Sequence, residues 1–159
     1  MEKRFVFSVM AMAMLSLFTF TSCGSDSDDD GGSTIGGNSS EIVGEWAVQQ
    51  YDDSGTYLLM ESINFKSNGT FSVLDYDVYL MNGTIVGMEK AEYIGNYTAK
   101  DGQLTLSANG RKQSYTYRVS GSVLTLMGND GSLNYDKMDD NIRSVFSSAE
   151  STYQQSFKR

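Results

Sequence analysis

The segment DGQLTLSANGRKQSYTYRV, residues 101–119, contains the pattern that decides the fold. Two stretches of alternating apolar and polar residues flank Asn109-Gly110, a dipeptide that strongly favours a two-residue hairpin turn. Alternation with a period of two places one set of side chains on one face, so each stretch predicts a half-buried β-strand. The segment therefore predicts an antiparallel β-hairpin.

Turn-forming dipeptides of the same kind recur along the chain. Further Asn-Gly or Asp-Gly dipeptides lie at 68–69, 82–83, 101–102 and 130–131, and Ser-Gly dipeptides, which favour turns less strongly, lie at 54–55 and 120–121. The intervals predict strands near 43–52, 57–66, 70–80, 84–99, 103–108, 112–119, 122–127 and 132–138, with a break or bulge in the fourth around Gly87 to Lys90. Sequential hairpins give only antiparallel pairs, and closure removes both edge strands. We therefore expect an all-β, antiparallel up-and-down meander that closes into a small eight-stranded barrel.

Three short motifs connect this barrel to a known family. Residues 43–46, Val-Gly-Glu-Trp, resemble the Gly-x-Trp opening of lipocalins, and residues 65–71 and 95–97 resemble segments of the short lipocalin-like domains of Bacteroidota lipoproteins. The likeness covers about residues 41–138, which we expect to form a lipocalin-like β-barrel.

The resemblance also implies a role for individual residues at one end of the barrel. Gly44 and Trp46 would form the floor, with the indole packed across the barrel. A basic side chain covers this Trp in lipocalins, and either Lys137 or Arg143 could take that place here.

The N-terminus has the composition of a signal peptide. Lys3 and Arg4 precede residues 5–20, in which three residues are polar, and this run suits a secretory signal better than a membrane-spanning helix. Thr21-Ser22 before the single cysteine, Cys23, resembles a bacterial lipobox. The resemblance implies that residues 1–22 are removed and that Cys23 is acylated, which gives the protein a lipid anchor in the membrane. The alternative is an ordinary signal peptide or anchor with an incidental cysteine.

Residues 23–40 are expected to be the acylated cysteine and a flexible tether. Between 24 and 40 there is one apolar residue, Ile35, which is too little to offset the chain entropy lost on folding. The acidic run at 25–30 is similar to the stretch that marks surface-exported Bacteroidota lipoproteins. The resemblance implies an outer-membrane lipoprotein exposed at the cell surface, and the periplasmic face is the alternative.

The composition excludes several classes of function. The chain has no His and one Cys, so His-based nucleophile pairs and His-ligated metals are unavailable. A net charge of −8 disfavours nucleic acid as a partner. Asp75 and Asp77 share a strand face, but charged residues of an acidic protein usually form a solvated surface. We expect a monomer that is not an enzyme and has no metal or cofactor.

The residues after the barrel, 139–159, predict a helix. Asp139-Asp140-Asn141 could cap it. Apolar residues then repeat at intervals of three and four, which suggests docking on the barrel wall; they are Ile142, Val145, Phe146, Ala149, Tyr153 and Phe157. A frayed tail is the alternative.

Tyrosines at alternating positions suggest a binding site, because rings with phenol groups can line a pocket for an apolar or amphipathic ligand. The candidates are Tyr76, Tyr93, Tyr97, Tyr115, Tyr117 and Tyr135. An eight-stranded barrel is wide enough either for its own side chains or for one small ligand. Two hypotheses follow: a lipid-anchored protein that binds a small hydrophobic or amphipathic ligand, and an accessory interaction protein with a filled barrel.

Overall fold

The computed structural model describes residues 40–129 and 131–157. A single 3-10 turn, Ser40–Ile42, precedes the first strand. The eight strands are β1 Gly44–Tyr51, β2 Tyr57–Phe65, β3 Thr70–Met81, β4 Thr84–Lys100, β5 Gln103–Ala108, β6 Arg111–Ser120, β7 Val123–Gly128 and β8 Gly131–Lys137, and a helix α1 spans Asp140–Ser156. The predicted signal peptide, Cys23 and almost all of the predicted tether lie outside the described residues.

The strands form one closed barrel in sequence order, and every neighbouring pair is antiparallel. Closure occurs between the first and last strands, where Trp46 pairs with Lys137 and Ala47 pairs with Asp136. The prediction of an all-β meander that closes into an eight-stranded barrel is confirmed.

Three of the predicted turns have the backbone geometry that their sequence demands. Asn82, Asp101 and Asn109 have φ of 51°, 52° and 51°, and the glycine after each has φ between 73° and 75°. Positive φ at both central residues defines the turn whose twist matches that of antiparallel strands. Asn, Asp and Gly tolerate this conformation, which explains why these dipeptides set the register.

The β3–β4 hairpin is the longest in the barrel. Pairing of β4 with β5 runs from Asn96 to Lys100, whereas its pairing with β3 continues to Thr84. Since β2 pairs with β3 as far as Tyr79, the part of the hairpin that projects as a two-stranded ribbon is its tip, residues 80–86. A bulge lies where Tyr79 pairs with Gly87 and Leu80 pairs with Ile85. The predicted irregularity near Gly87 is thus a bulge, and β4 runs through it unbroken.

Helix α1 begins where the sequence predicts it, because the Asp139 carboxylate accepts a 2.8 Å hydrogen bond from the amide of Ile142. Phe146 and Ala149 pack on the outer face of the barrel; the strand residues buried with them are Ala47, Met60, Tyr76, Val78 and Met88. The expectation that Val145 belongs to this stripe is wrong, since 44% of that side chain is exposed. The first four strands therefore bury residues on both faces.

The opposite face of the sheet fills the barrel. Its most buried side chains include Trp46, Ile63, Phe65, Phe71, Leu104, Leu106 and Leu124. Gly95 lets the strands approach closely here, because a Cβ on it would lie 2.3 Å from the Ser107 carbonyl oxygen and 2.7 Å from the Phe71 ring. We call the end with the 66–69, 101–102 and 121–122 turns the floor, and the end with the 52–56, 82–83 and 109–110 turns the mouth.

Candidate functional site: the barrel interior and its mouth

The floor is sealed around the single tryptophan. Trp46 is 1% exposed, and its indole N–H donates a 2.9 Å hydrogen bond to the carbonyl oxygen of Ile42. Ile42 is itself fully buried, so the 3-10 turn before β1 contributes to the closure. Gly44 has φ of 136°, a conformation that L side chains rarely adopt.

Lys137 is the basic residue that covers the tryptophan. Its Nζ lies 5.7 Å from the centre of the Trp46 ring, within the range of a cation–π contact. Arg143 lies elsewhere, in a 2.9 Å ion pair with Glu45. The structure thus distinguishes between the two basic residues that the sequence offered.

Two carboxylates lie inside the barrel above the floor. Glu61 and Asp75 pair directly across β2 and β3, and they are 0% and 2% exposed. The hydroxyl of Tyr135 donates a 2.6 Å hydrogen bond to Oε1 of Glu61. Burial, followed by the charge of Glu61, raises the pKa of Tyr135 well above its ordinary value, which keeps the phenol protonated as the donor.

Towards the mouth, the inward-facing side chains become accessible to solvent. Tyr57, Asp77, Tyr93 and Tyr115 are half-buried, and Tyr79 is 41% exposed. On β2, β3 and β6 this change occurs within two residues of a buried inward-facing position, whereas on β4 the nearest one to Tyr93 is Tyr97. The inner face therefore has a dry lower part and a wet upper part.

The mouth combines aromatic rings with hydrogen-bond acceptors. The Tyr57 hydroxyl donates to the carboxylate of Asp77, and the ring of Tyr57 lies 5.8 Å from that of Tyr79. The Tyr115 hydroxyl donates to the Gln113 side-chain oxygen at 3.2 Å. Burial and the bond to Asp77 raise the pKa of Tyr57, and burial with the charge of Asp75 raises that of Tyr93. Phenol groups and carboxylate oxygens suit a ligand with an apolar body and donor groups.

The six tyrosines predicted for a pocket do not form one group. Tyr93 and Tyr115 line the wet upper part. Tyr97, Tyr117 and Tyr135 are 3%, 4% and 0% exposed and belong to the packed interior. Tyr97 packs edge-on against Phe65 with ring centres 4.9 Å apart, and its hydroxyl donates to a backbone carbonyl.

The prediction that Tyr76 lines an interior pocket is wrong. Tyr76 is on the outer face beneath α1, where its hydroxyl donates to Glu150 and its ring lies 6.4 Å from that of Phe146. On β3 the inward set is Phe71, Val73, Asp75 and Asp77, so Tyr76 has the wrong parity. The sequence did not distinguish the inner from the outer face of β3, because residues on both faces of this strand are buried.

Four residues of the interior were missed or misinterpreted from the sequence. Asp75 and Asp77 do share a face, but it is the inner face rather than a solvated surface. Glu61 shares an alternating inward set with Leu59 and Ile63, a signal that was present in the sequence. Tyr57 lies at the start of β2 next to a Ser-Gly turn, and its place at the mouth follows from the register with β3.

A separate shallow groove of about 350 Å³ lies outside the interior, along residues 94–96 and 107–112, and the predicted tyrosines do not line it. Within the described ranges, no three His, Cys, Asp or Glu side chains converge on a point that could hold a metal ion. No helix among the residues that the structure describes is long and apolar enough to cross a membrane.

No protein-family model matches this chain, and no curated protein matches its sequence. Solved structures that this chain partly resembles include a lipoprotein, YedD, from Klebsiella pneumoniae, with 8% identity and a TM-score of 0.43 over 73% of this chain and 90% of that chain. The Cpx pathway activator NlpE from Escherichia coli has 16% identity and a TM-score of 0.39 over 62% of this chain. The match covers 47% of NlpE, so this chain spans about half of its length.

Proposed function

We propose that this chain is a non-enzymatic, lipid-anchored protein of the bacterial envelope whose barrel mouth binds one small hydrophobic or amphipathic ligand. The observation that carries the proposal is the division of the inner face. Side chains around Trp46 and Glu61 are fully buried, whereas Tyr93 and Tyr115, on the same face, remain accessible to solvent. A packed floor below an accessible, aromatic upper part is the arrangement of a small binding cup.

The chemistry of the mouth supports an amphipathic ligand. The rings of Tyr57, Tyr79, Tyr93 and Tyr115 offer apolar surface, and the side chains of Asp77 and Gln113 offer acceptors. Stacking on such rings accommodates apolar bodies of varied shape, whereas the acceptors fix the orientation of hydroxyl or amine groups.

Native mass spectrometry of the domain, residues 41–159, purified from its own host tests this proposal. We expect a bound small molecule that is lost in Tyr93→Ala and Tyr115→Ala. Thr116→Ala, on the exposed outer face of β6, should retain it. A wild-type spectrum without any adduct would contradict ligand binding.

The filled-barrel accessory protein is the second candidate. Three of the predicted pocket tyrosines, Tyr97, Tyr117 and Tyr135, are packed in the core, which favours it. It predicts that the spectrum of the host-purified domain shows the bare polypeptide mass.

The anchor rests on sequence. The signal-like residues 1–22, the unique Cys23 and the acidic run after it support acylation at Cys23 and display on the outer membrane of a Bacteroidota-type cell. Cys23→Ala should release the protein from the membrane fraction or leave it unprocessed. Unchanged processing and membrane association would exclude the lipoprotein assignment.

A further inference from the structure

The tip of the β3–β4 hairpin is the most apolar exposed surface that the structure describes. Met81, Ile85 and Val86 are 62%, 37% and 52% exposed, and Tyr79 just below them is 41% exposed. They account for four of the eight exposed large hydrophobic side chains among the described residues. Such a concentration on a soluble domain marks a surface that contacts something other than water.

The tip lacks charge in a protein that is otherwise acidic. Residues 78–88, VYLMNGTIVGM, contain no Asp, Glu, Lys or Arg, whereas 20% of the whole chain is charged. Hairpin edges that face water usually carry charged residues, which prevent association. The uncharged run therefore indicates that this hairpin end is not adapted to water.

The shape of the tip decides between the classes of partner. Both faces carry apolar side chains, with Tyr79 on the inner face and Leu80 and Ile85 on the outer face. The hairpin also projects past β5, whose pairing with β4 stops at Asn96. A protein partner would need a groove that encloses the tip, whereas a lipid surface accommodates apolar side chains on all sides of a protrusion.

The side chains also follow the polarity profile of a membrane interface. In the hairpin, aliphatic residues occupy the extreme tip, Tyr79 lies just below them, and the carboxylates of Asp77 and Glu89 lie below Tyr79. In the neighbouring β1–β2 turn, the carboxylate of Asp52 lies level with Tyr57 and Tyr79. Tyrosine is enriched where hydrocarbon meets headgroups, and acidic residues remain in water. This order matches shallow insertion of the aliphatic tip, with Tyr57, Tyr79 and Asp52 at the level of the headgroups.

We propose that the tip of the β3–β4 hairpin docks on a phospholipid surface, that of the membrane to which the chain is anchored. The inference rests on the proposed anchor at Cys23. The 17 residues from 24 to 40 can span at most about 56 to 61 Å when fully extended. The 12 residues of β3 extend about 40 Å along the strand, so a tether of this length is long enough to reach from the floor past the tip. The mouth would then open at the lipid surface, where an amphipathic ligand is available.

Fluorescence quenching by brominated lipid tests this inference on the processed full chain, inserted through its anchor into phosphatidylethanolamine and phosphatidylglycerol vesicles. In Val86→Trp, the tip indole should lose at least half of its emission in vesicles with brominated acyl chains, compared with unbrominated ones. Thr116→Trp on the exposed outer wall and the wild-type protein with Trp46 should not change. Adding Met81→Asp and Ile85→Asp to Val86→Trp should abolish the quenching.

Flotation of the same samples separates docking from anchoring. Vesicles that carry the chain to the top of a gradient while Val86→Trp stays unquenched would overturn docking and leave the anchor intact. A chain that neither floats nor is quenched would overturn both. A tip indole that responds only after solubilised envelope proteins are added would show a protein partner and overturn lipid docking.

Discussion

Tyr135 on β8 and Glu61 on β2 are joined across the interior of the barrel by a 2.6 Å hydrogen bond, and both side chains are 0% exposed. Removing a donor from a buried carboxylate costs free energy because bulk water cannot take its place, so this bond restrains where the two strands can lie. The pair lies between the sealed floor and the accessible mouth.

Tyr135→Phe should lower the free energy of unfolding by about 1.5 to 3 kcal/mol, because the bond is to a charged group and both side chains are fully buried. Tyr93→Phe removes a hydroxyl from a half-buried ring and should cost less than about 0.5 kcal/mol. Urea unfolding of the two variants and the wild type measures both changes in the free energy of unfolding. Equal midpoints would show that the Tyr135 bond contributes nothing.

Trp46→Ala should destabilise the barrel by about 3 to 5 kcal/mol, the usual loss for a buried aromatic residue. That loss is a large part of the total stability of a small domain, so the variant should be largely unfolded at ambient temperature. Since the chain has one Trp, intrinsic fluorescence reports on this site directly. We expect blue-shifted emission from the native protein, and emission like that of free indole in water would contradict a sealed floor.

Gly95→Ala should destabilise the barrel by about 1 to 3 kcal/mol through overpacking. The added Cβ would lie 2.3 Å from a backbone oxygen and 2.9 Å from the Cβ of Ala108, and neither can move freely. Gly87→Ala is a matched control on the same strand, where the nearest atom is a ring carbon of the half-exposed Tyr79 at 3.3 Å. Similar melting temperatures for the two variants would show that the strands at Gly95 have room to separate.

The docking of helix α1 on the barrel should weaken in acid. Hydrogen bonds from Lys90, Tyr76 and Gln154 lower the pKa of Glu150 from 4.5 to about 2, and the Lys90 ion pair measures 2.8 Å. Because the folded-state pKa is depressed, the stabilisation is complete above the unfolded value and is lost as the pH falls from about 4.5 to 2. Glu150→Gln should flatten the pH dependence of the melting temperature in this window, and Glu41→Gln, outside the helix, should leave it unchanged. A Glu150→Gln profile that matches the wild type would contradict this.

The architecture was predictable from the sequence because its determinants are local. Positive-φ turns such as Asn109-Gly110 fix the hairpins, and period-two alternation fixes the faces between them. Asp139 was identifiable as a helix cap for the same reason.

The interior was harder to predict, because its polarity depends on long-range packing. Tyr76 was misplaced since α1 buries the outer face of β3, and alternation cannot show which of two buried faces is inside. Asp75 was assigned to the surface because buried carboxylates are rare, and only the pairing with Glu61 shows that both face inward.

A crystal structure of the protein purified from its own host tests the central claim, that the mouth is a binding cup, most directly. We expect electron density for a non-protein molecule in contact with the rings of Tyr93 and Tyr115, above the buried Glu61 and Tyr135. Rings that close against each other and fill the upper interior, with ordered water as the only other density, would contradict the claim.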